Sequence, residues 1–491
     1  MIYHNPIILS DYSDPDVIRR GDAYYMVASS FNHTPGIPVL KSKNLVDWKI
    51  INYVFEELPF DRFKNVYHGE GAWAPAIRYH NKKYYVIIPF PDEGIYVSSC
   101  DDINKGDWTK PWCLIPGKGI IDPCPIWIKD KCYLVVGFAK SRIGFNSCLG
   151  LYEVSSDLKE NISKNYKIIF DGHNTQPTIE GPKFYSKNDY IYIMAPAGSV
   201  KTGWQVCLRA KDVYGPYEEK IVMLQNDSKI NGPHQGALID LPNNEYAFIH
   251  FQDLNCYGRV VHLEPVKWIN DWPICGNIKD ELLGGTPCDY HDYLINKKSN
   301  YKIPVSDNFR DNKLSFMWQT PANKQEGWYK LDNGLLLNCY YHNDSAYKAL
   351  NLTPNLFLTK LMYKTFTVKA FAEINLINDG DEVGLCYMGQ MYNYVCVKRV
   401  NGINYLMIKS GAFNQENDVE LYKIEYKNNY IEFMLKYIEP NKYILGFNNN
   451  WLKDKYTAYP GRWIGGKVGI YAKGLVYGGN AKFHYFKVRK C

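Results

Sequence analysis

No stretch of this 491-residue chain holds 18 consecutive apolar residues, so nothing in it reads as a membrane-crossing helix. The opening stretch, Met1 to Val17, has no basic cluster, no apolar core and no small-residue cleavage site, and does not read as a secretory leader. Charge of one sign is also scarce. With 57 basic and 51 acidic residues the net charge is only +6, and no Lys/Arg run is long enough to track phosphates, so nucleic acid is not an expected partner. The 13 cysteines, an odd number, form no CxxC or Cys/His spacing, so no zinc site is expected from them. Cys132, Cys207, Cys386 and Cys396 lie inside apolar runs, where a free thiol acts as a small hydrophobe. These absences together lead to the expectation of a reduced, cytoplasmic protein. Long helical periodicity is missing as well.

What is present is a phrase repeated five times in the first 253 residues. A polar or aromatic residue leads a small or proline-containing step, then an apolar residue, a polar turn and an aromatic-led apolar run. The copies begin at Asp14 (DPDVI), Trp73 (WAPAI), Asp122 (DPCPI), Glu180 (EGPKF) and His234 (HQGAL). Their runs are YYMVASS, YYVIIPF, CYLVVGFA, YIYIMAPA and YAFIHFQD. A strand-rich repeat of about 50 to 60 residues marks a β-propeller, since one unit cannot bury its apolar face alone. Residues 1–285 are therefore expected to form a five-bladed propeller. Residues 286–305 are polar and turn-rich and read as a linker. Residues 306–491 carry short strands with frequent turns but not the phrase, and read as a jelly-roll-like β-sandwich, giving an all-β chain.

Closure of a propeller brings equivalent repeat positions to one end of its axis. Asp14, Asp122 and Glu180 should then meet at one pocket, with Trp73 as part of its wall. A single Asp before Pro commonly just starts a turn. Three carboxylates at one repeat position do not reduce to that. Carboxylates gathered without metal-ligand spacing suit glycoside hydrolysis, in which one is ionised and another holds a proton. Like charges held together push one proton affinity upward. Acid and base stand about 6.5–9.5 Å apart in inverting enzymes and about 5–5.5 Å apart in retaining ones. Opposite sides of a propeller funnel suit the wider gap. Asp16, two residues from Asp14, is a competing base, because alternate residues of an extended segment share a face.

The phrases NPIILSDYSDPDVIRRGDAYYMVASSF, GAWAPAI, IDPCPI, IEGPKFY, GPHQGAL and YGRVVHLEPVKWINDWP, in this order, resemble glycoside hydrolase family 43. The resemblance spans essentially the whole chain, and the unit from Ser306 resembles the sandwich of its β-xylosidase and α-L-arabinofuranosidase branches. It implies an inverting five-bladed propeller with Asp14 as general base, Glu180 as general acid and Asp122 as the residue that orients Glu180 and raises its pKa. It favours Asp14 over Asp16, which then makes a structural hydrogen bond. It implies Phe31 as the hydrophobic wall of the terminal-sugar subsite and Arg259 as its hydrogen-bonding arginine. His234 would join the substrate-binding residues near the propeller axis, where a cation or water cluster sits in some members; the chemistry itself needs no cofactor or metal. The expected activity is exo-release of terminal β-D-xylosyl residues from short xylo-oligosaccharides, with α-L-arabinofuranosidase activity as a companion or an alternative. A non-catalytic carbohydrate-binding propeller should have lost a carboxylate, and the retaining fructan-cleaving type carries acidic phrases not seen here. Assembly with like subunits is left open.

Overall fold

Each copy of the phrase folds into two antiparallel strands, joined by a two-residue turn in the first four copies and by a five-residue connection in the fifth. In the first copy these are Asp16–Arg20 and Ala23–Val27, with Asp16 opposite Val27 and Arg20 opposite Ala23. In the second, Ala76–His80 and Lys83–Phe90 are joined through Asn81 and Lys82 at φ 46° and 65°. Positive φ at both corner residues matches the right-handed twist of the flanking strands. Two further strands complete each copy. The computed structural model, which describes residues 1–279, 284–341 and 347–491, thus contains five four-stranded antiparallel sheets in chain order.

Neighbouring sheets pack on one another, and the fifth returns to the first through Gly236–Asp240 against Asp16–Arg20. The result is a five-bladed propeller. Every seam between blades has its own apolar cluster; that of blades one and five includes Tyr24, Met26, Ile239, Ile249 and Leu263. Among the described residues, the ring closes without strand exchange. The N-terminal segment lies along blade five instead, with reciprocal backbone bonds between Ile8 and Val261 (3.3 and 3.1 Å) and one from Tyr12 to Arg259 (3.1 Å).

At the axis the first strands are tied together by a buried ionic knot. Asp16, fully buried, accepts from the Ile77 amide (2.8 Å) and the Arg78 guanidinium (2.7 Å), and lies 3.9 Å from the Lys183 ammonium. Arg78 also reaches the Cys124 sulfur, and Lys183 donates to the Pro75 carbonyl at 2.8 Å. Four blades are thereby joined at one point. Asp16 is a fastening, set apart from the pocket that holds Asp14.

The C-terminal unit packs two seven-stranded sheets face to face, counted over the described residues. The alternation in Phe366–Asn375, buried at every other position, shows why: one face of each sheet is apolar. Cys256, Tyr257 and Val260 of the propeller join its core cluster. The stretch read as a linker is strapped down rather than free. Its strand Tyr290–Asp292 pairs with Ile2–His4, and Thr286 bridges to Asn277. Among the described residues, no helix is long and apolar enough to cross a membrane.

Removing the Asp16 charge leaves Arg78 and Lys183 buried without their partner. Asp16→Asn is expected to destabilise the protein by about 3–5 kcal/mol, the usual cost of breaking a buried pair. A melting temperature equal to the parent's would show that the knot does not hold the blades.

Candidate active site

Asp14, Asp122 and Glu180 line one cavity of about 290 Å³ at the end of the propeller axis, with Phe31, Trp73 and Arg259. Asp14 and Glu180 precede the innermost strands of their blades and Asp122 lies near the start of Ile120–Ile128, at a break in its pairing register, so the repeat register becomes spatial convergence. Asp14 is held from three sides. It accepts from the hydroxyls of Ser13 (2.7 Å) and Ser29 (2.5 Å) and from the Arg259 guanidinium (3.1 Å). Asp122 accepts the backbone N–H of Gly181 at 2.8 Å, which ties its carboxylate to the peptide that carries Glu180. The Glu180 side chain keeps 39 % of its surface open to the cavity.

Two of these carboxyls bind protons more tightly than usual. Burial, then the charge of Asp14, raises the proton affinity of Asp122. Burial also raises that of Glu180, with the charges of Asp122 and Asp14 adding to it and Arg259 opposing. The effects are those expected of carboxylates crowded into a partly dehydrated space. The structure does not place His234, expected to bind substrate, in the cavity lining: it is packed behind Glu180, 2 % exposed, with its Nε2 at 3.4 Å from the carboxylate. Burial, reinforced by Arg259 and His250, lowers its pKa to about 3, so the imidazole is neutral.

The wall is aromatic. Phe31 and Trp73 meet at 6.2 Å between ring centres, and the Arg142 guanidinium lies 5.3 Å from the Trp73 ring. Phe31 is held in reciprocal backbone bonds with Ala72. That contact needs Gly71, at φ 88°, because a Cβ there would stand 2.3 Å from the Phe31 carbonyl oxygen. Asp14, Phe31, Asp122, Thr178, Ser199 and Trp463, all lining residues, have positive φ. Such backbone is uncommon outside glycine and persists where the surroundings over-determine it.

Several lining residues were not singled out from the sequence, among them Gln235, Asn146 and Trp463. Gln235 is 2 % exposed, and its Nε2 has no partner among the described residues. Its place directly after His234 in the fifth copy was the available signal. Trp463 had none. It comes from the sandwich, half exposed, on a loop fixed to the propeller where Gly466 N–H donates to the Cys256 carbonyl (2.8 Å). Gly465 abuts Tyr257 so closely that a Cβ would lie 2.7 Å from its carbonyl carbon.

Residues 3–273 match the family model of glycosyl hydrolases family 43, and residues 306–489 match the β-xylosidase C-terminal concanavalin A-like domain. The chain belongs to glycosyl hydrolases family 43. A Xylanibacter ruminicola protein that carries a β-xylosidase name is 40 % identical over 333 residues, 67 % of this chain and 60 % of that protein. The match thus spans about three fifths of that relative's length. A non-reducing end α-L-arabinofuranosidase of Bacteroides ovatus is 27 % identical over 445 residues, 83 % of this chain and 78 % of that protein. Among solved structures, a Bacteroides ovatus family 43 protein from a xyloglucan PUL superposes with a TM-score of 0.86 at 22 % identity, covering 100 % of both chains. That likeness is one of fold.

The crowded carboxyls predict a pH-dependent stability. Glu180 has its proton affinity raised on folding, so its contribution is fully present below the ordinary carboxyl range and is lost as pH rises through the higher folded value. Glu180→Gln should therefore melt at the same temperature as the parent near about pH 4 and above it near about pH 9. A difference that stays constant across a calorimetric pH series would show that Glu180 is not strained by its surroundings.

Proposed function

We propose that this chain is an inverting, exo-acting glycoside hydrolase that releases terminal β-D-xylosyl residues from short xylo-oligosaccharides. The observation that carries the reading is the meeting of Asp14, Asp122 and Glu180 in one aromatic-walled cavity. The two kinds of carboxyl environment there suit the two roles. Asp14, oriented by Ser13, Ser29 and Arg259, serves as general base and takes a proton from the attacking water. Glu180, whose proton is retained by burial and by the charge of Asp122, serves as general acid and donates it to the departing glycosidic oxygen. Water adds to the anomeric carbon as the bond to that oxygen breaks, and the configuration inverts. Proton exchange with solvent then resets both carboxyls.

Asp122 acts through Glu180, by charge and through the Gly181 peptide. Arg259 and the unpaired Gln235 amide are suited to sugar hydroxyls, while Phe31 and Trp73 supply the apolar face. His234 serves by supporting Glu180 from behind. Trp463 stands over the cavity as the platform for the sugar on the leaving side. A cavity at the lower end of the usual ligand-site range fits one terminal sugar better than a polymer. The second reading is α-L-arabinofuranosyl release by the same residues. The Bacteroides ovatus relative bears that name, and the two pentosyl units present similar hydroxyls.

Initial rates on 4-nitrophenyl β-D-xylopyranoside and α-L-arabinofuranoside at matched concentrations test the proposal. A higher rate on the xyloside is expected; a higher rate on the arabinoside would replace it with the second reading, and silence on both, and on xylobiose, would overturn hydrolysis. Asp14→Asn should cut turnover by about 10² or more in a protein that still folds, as circular dichroism would show. A near-parental rate would place the base elsewhere. Trp463→Ala should raise KM for xylobiose several-fold and leave KM for the aryl xyloside closer to the parent's. An equal effect on both would remove Trp463 from the leaving side.

A further inference from the structure

Inside blade five, away from the sugar cavity, lies a second group of chemically competent side chains. His250 and His262 stand directly opposite each other on the strands Tyr246–Asp253 and Arg259–Ile269, with rings stacked at 5.1 Å. Glu264, two residues beyond His262, is on the same face. All three are fully buried, and one donor atom of each lies within 4.8 Å of the others.

Their bonding is incomplete. Neither nitrogen of His262 has a partner among the described residues. Glu264 accepts from neutral donors, the Cys288 amide (2.8 Å) and the Asn5 side chain (3.3 Å), and from His250 at 3.2 Å. Among the described residues, no Lys or Arg pairs with it. A buried carboxylate and an imidazole with unused nitrogens therefore face one another with no permanent positive charge, an arrangement that burial penalises. A cation supplies what is missing.

We propose that His250, His262 and Glu264 bind a divalent transition-metal ion of the zinc class. Two imidazoles and one carboxylate suit such an ion, whereas calcium and magnesium favour all-oxygen sets. The 3.2 Å between His250 Nε2 and Glu264 Oε1 is close to the about 3.3 Å edge between tetrahedral donors on bonds of about 2.0 Å. The remaining donor separations are at most 4.8 Å, so a bound ion would draw them to length by side-chain rotation. A water completes the set. None of the three donors lines the sugar cavity, and His234 is not among them, so the ion has a structural role. Asn5 brings the N-terminal segment to Glu264, and Cys288 brings the strap that follows blade five. The ion would fasten the ring where it closes.

The full-length protein, purified without chelator and dialysed into metal-free buffer, is analysed by plasma mass spectrometry. It is then stripped with a strong chelator and titrated with Zn2+ or Mg2+ while its melting temperature is followed. About one equivalent of bound metal per chain is expected, with a melting temperature that falls on stripping and returns with Zn2+ but not with Mg2+. Both properties should vanish in Glu264→Gln and His262→Asn and survive in His234→Asn. Trace metal with a melting temperature indifferent to chelator and Zn2+ would overturn the proposal and leave a proton-held His250–Glu264 pair. Equal zinc retention in Glu264→Gln, or its loss in His234→Asn alone, would overturn it too. Should neither blade-five variant fold, the Co2+-loaded parent decides. Paramagnetically shifted ring protons from two histidines support the site, and their absence overturns it.

Discussion

The buried knot of Asp16, Arg78 and Lys183 is the constraint on which the propeller depends. A ring of sheets held only by apolar seams has no strong preference for how far each blade slides along the axis. Charges in a dehydrated interior do, because a displaced partner leaves an ion buried alone. The Arg78 contact with Cys124 and the Lys183 contact with Pro75 extend the knot to four blades. With those innermost strands fixed at one height, the residues just ahead of them are fixed as well. Asp14, Asp122 and Glu180 can then be crowded into one cavity, where their mutual repulsion would otherwise push the blades apart.

That crowding sets the proton affinities of the cavity and is also a cost to the fold. Burial and neighbouring negative charge make Glu180 hold its proton, while three donors orient Asp14. The positive φ values of Asp14, Phe31 and Asp122 belong to the same bargain. Backbone of that kind survives only where surrounding bonds leave no alternative. Those bonds are visible: Ser13, Ser29 and Arg259 around Asp14, Ala72 around Phe31, and Gly181 around Asp122.

The sandwich does more than follow the propeller. Tyr257 and Val260, on either side of Arg259, are part of its core cluster. Thr34 and Thr320 exchange backbone bonds of 2.9 and 2.7 Å, three residues from Phe31, and Asn32 donates to Pro321 at 2.7 Å. The interface thus holds two of the cavity residues from behind and delivers Trp463 from in front. The arrangement of the cavity mouth depends on both units being present.

The sequence by itself determined the blades and the carboxylate centre of the cavity. Strand and turn signals are local, and a repeat places equivalent residues at equivalent heights, so Asp14, Trp73, Asp122 and Glu180 could be brought together before any coordinates. Their geometry followed from periodicity. The residues alone left Asp14 and Asp16 as rival bases, and the family resemblance favoured Asp14; only the tertiary structure placed Asp16 apart from the cavity, between Arg78 and Lys183. His234 shares the repeat position, yet packing put it behind Glu180 rather than in the wall. Trp463, the strapping of Tyr290–Asp292 onto Ile2–His4, and the meeting of Glu264 with Asn5 and Cys288 were decided by tertiary structure alone. These join residues hundreds of positions apart that share no period. No local energy encodes such contacts; they exist only because closing the ring and docking the sandwich leave those surfaces in the same place.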